Sequence, residues 1–112
     1  MIPSGNRLKK QADFQLVRNE GRKATEPSLG VYFLEKNEPP WRVGLTVSGK
    51  VVKSAVQRNR LRRVLLATIE EQAKRWGELV KGDMVIVVWR SDPDEAKLKN
   101  QLKRCLKKLS LA

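Results

Sequence analysis

"MVIVVW", residues 84–89, decides how this chain folds. The run is apolar throughout and has no polar alternation. It reads as a strand buried on both faces, hence a central one, and a central strand needs neighbours on either side. Two further segments read as strands. "LGVYFLE" (29–35) is a strand by composition, and "WRVGLTVS" (41–48) alternates cleanly. In the latter, Trp41, Val43, Leu45 and Val47 face one way, and Arg42, Gly44, Thr46 and Ser48 the other. "KNEPP" (36–40) between them is a turn, so these two strands are expected to pair with each other antiparallel. Residues 22–28 read as loop or edge strand, because Pro27 limits pairing, with a short extra strand near 22–25.

Helical periodicity fills the rest. A short helix is expected over residues 10–20, with Ala12, Phe14, Leu16 and Val17 on apolar faces and Gly21 as its stop. Residues 56–76 form the longest helix candidate, with Leu61, Val64, Leu65, Thr68, Ile69, Ala73 and Trp76 at helical spacing. The last helix has Asp92 as its expected cap, Pro93 at its first position and Glu95 three residues after the cap. Its apolar stripe is Leu98, Leu102, Cys105, Leu106 and Leu109, and lysines and an arginine fill the other faces. Residues 1–6, with Pro3, Ser4, Gly5 and Asn6, are expected to fray. The fold class is α+β. The expected architecture is a small two-layer α/β sandwich of helix-strand-strand-helix-strand-helix order, forming a single domain over 1–112.

Composition narrows the function. The 112 residues are 40% hydrophobic and 32% charged, a globular balance for one domain. The net charge is +12, from 24 Lys and Arg against 12 Asp and Glu. Such an excess points to a polyanionic partner: nucleic acid first, an acidic membrane surface second. No apolar run is long enough to span a bilayer, and the N-terminus has no signal-type apolar core. A cytoplasmic location is therefore the expectation. Cys105 is the single cysteine and there is no histidine. That excludes an intrachain disulfide, makes a zinc site improbable and removes the commonest general base. Glu70 and Glu71 are adjacent and diverge on a helix, and "SGK" (48–50) lacks the flanking pattern of a phosphate loop.

The charge is concentrated. Residues 50–63, "KVVKSAVQRNRLRR", carry Lys50, Lys53, Arg58, Arg60, Arg62 and Arg63 and no acid. Such a run is either a solvated helix face or a surface built to hold phosphates. A solvated face normally mixes signs, as "EEQAKR" (70–75) does on the same helix. At about 100° per residue, Asn59, Arg60 and Arg63 lie opposite the apolar stripe and Arg62 lies on its border. Arg58 projects nearer the apolar side, where it can brace the start of the helix. Arginine forks grip phosphate oxygens and stack on bases, and asparagine suits a base edge or a ribose hydroxyl.

In sequence order, these blocks resemble the protein subunit family of bacterial ribonuclease P. "RLKKQADFQLVRNEG" (7–21) is similar to the family's opening helix, and "RVGLTVSGK" (42–50) to its central strand. "AVQRNRLRRVL" (55–65) resembles its signature helix, and "GDMVIVVWR" (82–90) the later strand. The resemblance implies an α/β sandwich with a left-handed β-α-β crossover. It implies an endoribonuclease subunit that assists removal of the 5′ leader from precursor tRNA. The RNA subunit would carry catalysis with Mg²⁺ at its own active site, the protein would supply no catalytic residue or metal ligand, and no protein partner or membrane is implied. On this pattern Arg58, Asn59, Arg60, Arg62 and Arg63, with Lys53, bind the catalytic RNA. Phe14, Arg18, Tyr32, Arg42, Ser48, Lys50 and Arg90 belong to a leader-binding cleft. Arg18 stands where the family often has a second aromatic, so leader contact should be more electrostatic here. "VVKS" (51–54) replaces a shorter, glycine-containing join before the signature helix. A general or ribosomal RNA-binding protein and a stand-alone nuclease are the rival readings.

Overall fold

A computed structural model of the chain describes residues 2–47, 50–77, 79–90 and 94–111. After a single 3-10 turn at Ser4–Asn6 come α1 (Gln11–Glu20), β1 (Arg22–Thr25), β2 (Leu29–Glu35), β3 (Arg42–Val47), α2 (Ala55–Ala73), β4 (Gly82–Val88) and α3 (Glu95–Lys108). The strands form one sheet in the order β1-β2-β4-β3.

β4 is central, as its uninterrupted apolar run requires. It pairs antiparallel with β2, from Leu29↔Val88 to Glu35↔Gly82, and parallel with β3, from Arg42↔Asp83 to Val47↔Val88. The expected β2–β3 hairpin is therefore wrong. The two strands do run in opposite directions, but β4 lies between them. The segment 36–41 can reach about 20 Å when extended, ample for two strand spacings of about 4.8 Å each. Inserting β4 covers both of its edges and both of its faces, which a β2–β3 hairpin would not allow. The parallel β3–α2–β4 connection is the β-α-β unit that the resemblance implies. β1 pairs antiparallel with β2 as the expected short strand at the outer edge.

The pleat sorts the side chains. Val31 and Phe33 of β2, Val43 of β3 and Ile86 of β4 join Leu65 and Ile69 of α2 and Leu98, Leu102 and Leu106 of α3 in the main core. Each buried leucine contributes about 2 kcal/mol by leaving water. On the opposite face a smaller cluster gathers Leu8, Val17 and Val85, with Phe14, Tyr32, Leu34 and Val87 at its margin. Among the described residues, α1 is thus the helix that packs on the second face, with Leu8 beside it. Val17 is the only buried residue of α1, and Leu16, expected to be apolar-facing, is 45% exposed. A ten-residue helix crossing a sheet presents only a narrow stripe to it. Gly21 ends α1 in an extended conformation, and a Cβ there would stand 2.5 Å from the Val17 carbonyl oxygen. Close approach, not a left-handed turn, is what demands glycine.

Where they are described, the N-terminal residues are packed against the sheet: Ile2 is buried, Asn6 Nδ2 donates to the Trp41 carbonyl at 2.6 Å, and Leu8 N–H donates to Val43 O at 2.9 Å, while Met1 lies outside the described residues. They close the outer edge of β3, which would otherwise leave backbone groups unpaired. The cap of α3 is Asp94, whose carboxylate accepts from Ala96 N–H at 3.0 Å and Lys97 N–H at 3.3 Å. Asp92 and Pro93 lie outside the described residues. Either aspartate satisfies the local capping rule, so the spacing alone could not choose. The basic face of α3 is also partly used. Arg104 and Lys108 hold Glu26, and their hydrogen bonds, Lys108 foremost, keep its carboxyl below the usual carboxylate range.

Candidate nucleic-acid interface

The site begins with α2. Ser54 caps it, its hydroxyl accepting from Gln57 N–H at 3.3 Å, so the altered "VVKS" join delivers a regular helix start. No acid lies in the first turn, where the helix dipole already favours anions. The arginines then separate by direction. Arg58 turns back, its Nη1 donating to Val52 O at 2.8 Å and Lys53 O at 2.9 Å. It braces the join, as the helical wheel suggests. Arg60 remains largely exposed but bonds Glu95 at the start of α3, Nε to Oε1 at 2.5 Å. Asn59, Arg63 and Lys53 are exposed.

Arg62 goes elsewhere. It lines a groove of about 320 Å³ with Gln11, Phe14, Gln15 and Arg18 of α1 and Leu45, Thr46 and Val47 of β3. The α1 residues recur at three- and four-residue spacing, so one face of that helix forms one wall. Gly44 makes the groove possible, because its missing side chain leaves room for the Phe14 ring tip. Along β3, Val43 O is the backbone group that Leu8 caps, and Leu45, two residues on, turns its own backbone to the same side, into the groove. The groove therefore combines a fixed aromatic, two guanidinium groups and amide and hydroxyl donors.

Tyr32 lies on the same sheet face, half-buried, with the Arg18 guanidinium 5.5 Å and the Lys23 ammonium 5.6 Å from its ring centre. Lys50 and Arg90 are exposed, and Ser48 lies outside the described residues.

Arg42 is not part of this surface in the same way. Its fork donates to Asp83 at 2.8 and 2.7 Å, Lys36 Nζ meets the same carboxylate at 2.6 Å, and Asp13 lies 3.7 Å from Arg42. Burial pushes the Asp83 carboxyl up, but the Arg42 and Lys36 hydrogen bonds outweigh it and hold it below its ordinary value. Arg42 is thus committed to a structural pair across the β3–β4 register.

Cys105 is buried rather than set up as an activated thiol. Burial, with Glu26 second, raises the Cys105 thiol to about 11, and its Sγ–H donates to Ala24 O at 3.6 Å. Among the described residues no three of His, Cys, Asp and Glu come together as metal ligands, and no helix is long and apolar enough to cross a membrane. What the surface can do is hold anions, stack flat rings and bond polar edges.

Sequence reasoning missed Gln11 and Gln15, which a wheel drawn for α1 through Phe14 and Arg18 would have found. It also missed the Arg60–Glu95 pair and the exposed Trp89, which depend on how separate elements pack.

The family model "Ribonuclease P" matches residues 2–110. A ribonuclease P protein component from Pseudanabaena is 33% identical over 110 residues, covering 96% of this chain and 94% of the relative. One from Lactobacillus johnsonii is 44% identical over 66 residues, covering 58% of this chain and about half, 54%, of the relative. The solved structure of the Staphylococcus aureus RNase P protein superposes with a TM-score of 0.77 at 27% identity, covering 95% of this chain and 96% of that one.

Proposed function

The chain belongs to the ribonuclease P protein family, and from that premise we propose that it is the protein component of the tRNA-processing ribonucleoprotein, using two surfaces that meet on α2. Asn59, Arg63 and Lys53, with Arg60 once released from Glu95, bind the catalytic RNA. The groove between α1 and β3 takes the single-stranded 5′ leader of precursor tRNA. The observation that carries this reading is the division of one arginine cluster: Arg62 reaches into the groove with Phe14 and Arg18, while Asn59 and Arg63 lie on the exposed part of the same helix.

The mechanism is one of positioning. An extended strand in the groove can stack one base on Phe14, rest its phosphates on Arg18 and Arg62, and bond its edges to Gln11, Gln15 and Thr46. Mature tRNA has no leader and gains none of these contacts, so the protein favours substrate over product. Tethering the leader beside an RNA-bound helix aligns the scissile phosphate with the RNA active site, where Mg²⁺ supplies the hydrolytic chemistry. The protein contributes no acid, base or nucleophile, and no metal ligand of its own. The complex works in the cytoplasm, with the RNA subunit and precursor tRNA as partners.

Reconstitution tests this directly. The chain should stimulate precursor tRNA cleavage by a bacterial ribonuclease P RNA at low Mg²⁺ and be inert alone. Cleavage by the protein without RNA, or no stimulation of any such RNA, would overturn the proposal.

A further inference from the structure

Trp89 follows β4, and with Val85 and Val87 it faces the α1 side of the sheet. Its ring tip lies on Gly30, where a Cβ would stand 2.6 Å from Cη2 and 2.7 Å from Cζ3. Its Nε1–H donates to Pro27 O at 3.0 Å and its backbone N–H to Ser28 O at 3.0 Å. The indole is therefore held at several points, yet 39% of the residue is exposed. A scattered exposed tryptophan needs no explanation, but its rigid setting and its neighbours ask for one. Arg90 is next in the chain and exposed, and Tyr32 with its two cations is next but one to Gly30 along β2.

The arrangement repeats that of Phe14. Each ring sits over a glycine on the same face of the sheet, Phe14 over Gly44 of β3 and Trp89 over Gly30 of β2. In the register Gly44 pairs with Val85, which pairs with Tyr32, while Gly30 pairs with Val87, which pairs with Thr46. The two seats are thus two strand spacings apart across the sheet and two residues apart along it, about 12 Å. Between them lie Tyr32, Val85, Val87 and Thr46. Aromatic rings spaced across a sheet floor with cations beside them are what a single-stranded nucleic acid needs, because every base has a face to stack and every phosphate a charge to neutralise.

We propose that Trp89 is a second stacking platform for single-stranded RNA, taking leader nucleotides that lie beyond those held at Phe14. The proposal rests on the groove being the leader site. The strand leaves the groove at Phe14 and Arg18, crosses the open half of the sheet over Val87, and stacks on the indole with Arg90 against its phosphate.

The test uses holoenzyme reconstituted with a bacterial ribonuclease P RNA and a nested series of precursor tRNAs, their leaders shortened one nucleotide at a time. Trp89→Ala should weaken binding about tenfold for long leaders, equivalent to about 1.4 kcal/mol, and leave leaders too short to pass the groove unaffected. Phe14→Ala should weaken both long leaders and those that just reach the groove. Trp89→Phe should keep most of the affinity for long leaders and Trp89→Leu should not, which separates stacking from bulk at a position whose removal also loosens the 27–28 turn. Equal weakening for long and short leaders, or none, overturns the proposal while Phe14→Ala still discriminates among leaders. If Phe14→Ala shows no leader dependence, the groove reading fails, and the Trp89 platform that rests on it is overturned with it.

Discussion

Replacing Asp83 by asparagine isolates the role of Arg42, which the family pattern places in the leader cleft and the geometry places in a structural pair. Asp83 is nearly fully buried and accepts both arms of the Arg42 fork, at 2.8 and 2.7 Å, as well as the Lys36 ammonium at 2.6 Å. The amide in Asp83→Asn keeps the shape but removes the charge and turns an NH2 toward two cations. Breaking one partner of a buried pair costs about 3–5 kcal/mol. For a domain of this size that lowers Tm by about 12–20 °C, a large share of a typical total stability of about 5–15 kcal/mol. Urea unfolding followed by far-ultraviolet circular dichroism measures the loss. Its pH dependence is also specified. Because Asp83 titrates lower in the folded chain than in the unfolded one, its pairing stabilises fully above the ordinary carboxylate range, and the contribution is lost as pH falls through the depressed value. The wild-type advantage over Asp83→Asn should therefore be constant near neutrality and shrink below about pH 4. In the holoenzyme, Arg42→Lys should change leader affinity little while lowering Tm. Stability within about 0.5 kcal/mol of wild type for Asp83→Asn, the range of an ordinary surface change, would refute the reasoning. So would an Arg42→Lys variant of unchanged stability that had lost leader discrimination.

The split of the arginine cluster predicts two different phenotypes. Arg63→Ala should reduce affinity for the catalytic RNA and flatten its salt dependence by about one unit of slope, at little cost in stability. Arg58→Ala should cost about 1–3 kcal/mol in urea unfolding, because the Val52 and Lys53 carbonyls lose their shared donor. Gly44→Ala should push the Phe14 ring off the sheet. Loss of precursor-over-mature discrimination, with about 1–3 kcal/mol of overpacking cost, is the expected result, and unchanged discrimination would place the stacking base elsewhere.

Much of this molecule was legible before any coordinates. The apolar run at 84–89 requires a central strand whatever its neighbours, because both faces and both edges must leave water. The alternation of 42–47 already separates a core face from a face that carries Gly44 and Thr46. The stripe of α2 turns Asn59 and Arg63 outward and Arg58 toward the join, since a helical wheel is a property of the local chain. The single-sign charge implies a polyanion, and the ordered blocks point to the family.

Tertiary structure decided what depends on partners distant in sequence. Strand order is one case: nothing local says that β4 comes between β2 and β3, because that choice is made by how much apolar surface the whole sheet can cover. Pairings are another. Arg42 and Asp83 are 41 residues apart, and Arg60 meets Glu95 only because α2 and α3 pack side by side. "VQRNRLRR" (56–63) reads as one basic surface, yet the fold sends Arg58 to the backbone, Arg60 to α3 and Arg62 to the groove, and leaves Asn59 and Arg63 exposed. Trp89 shows the same limit. As a sequence it is the end of an apolar strand, and it becomes a candidate platform only when β2 supplies a glycine for its ring and the pleat turns it to the face that α1 leaves half uncovered.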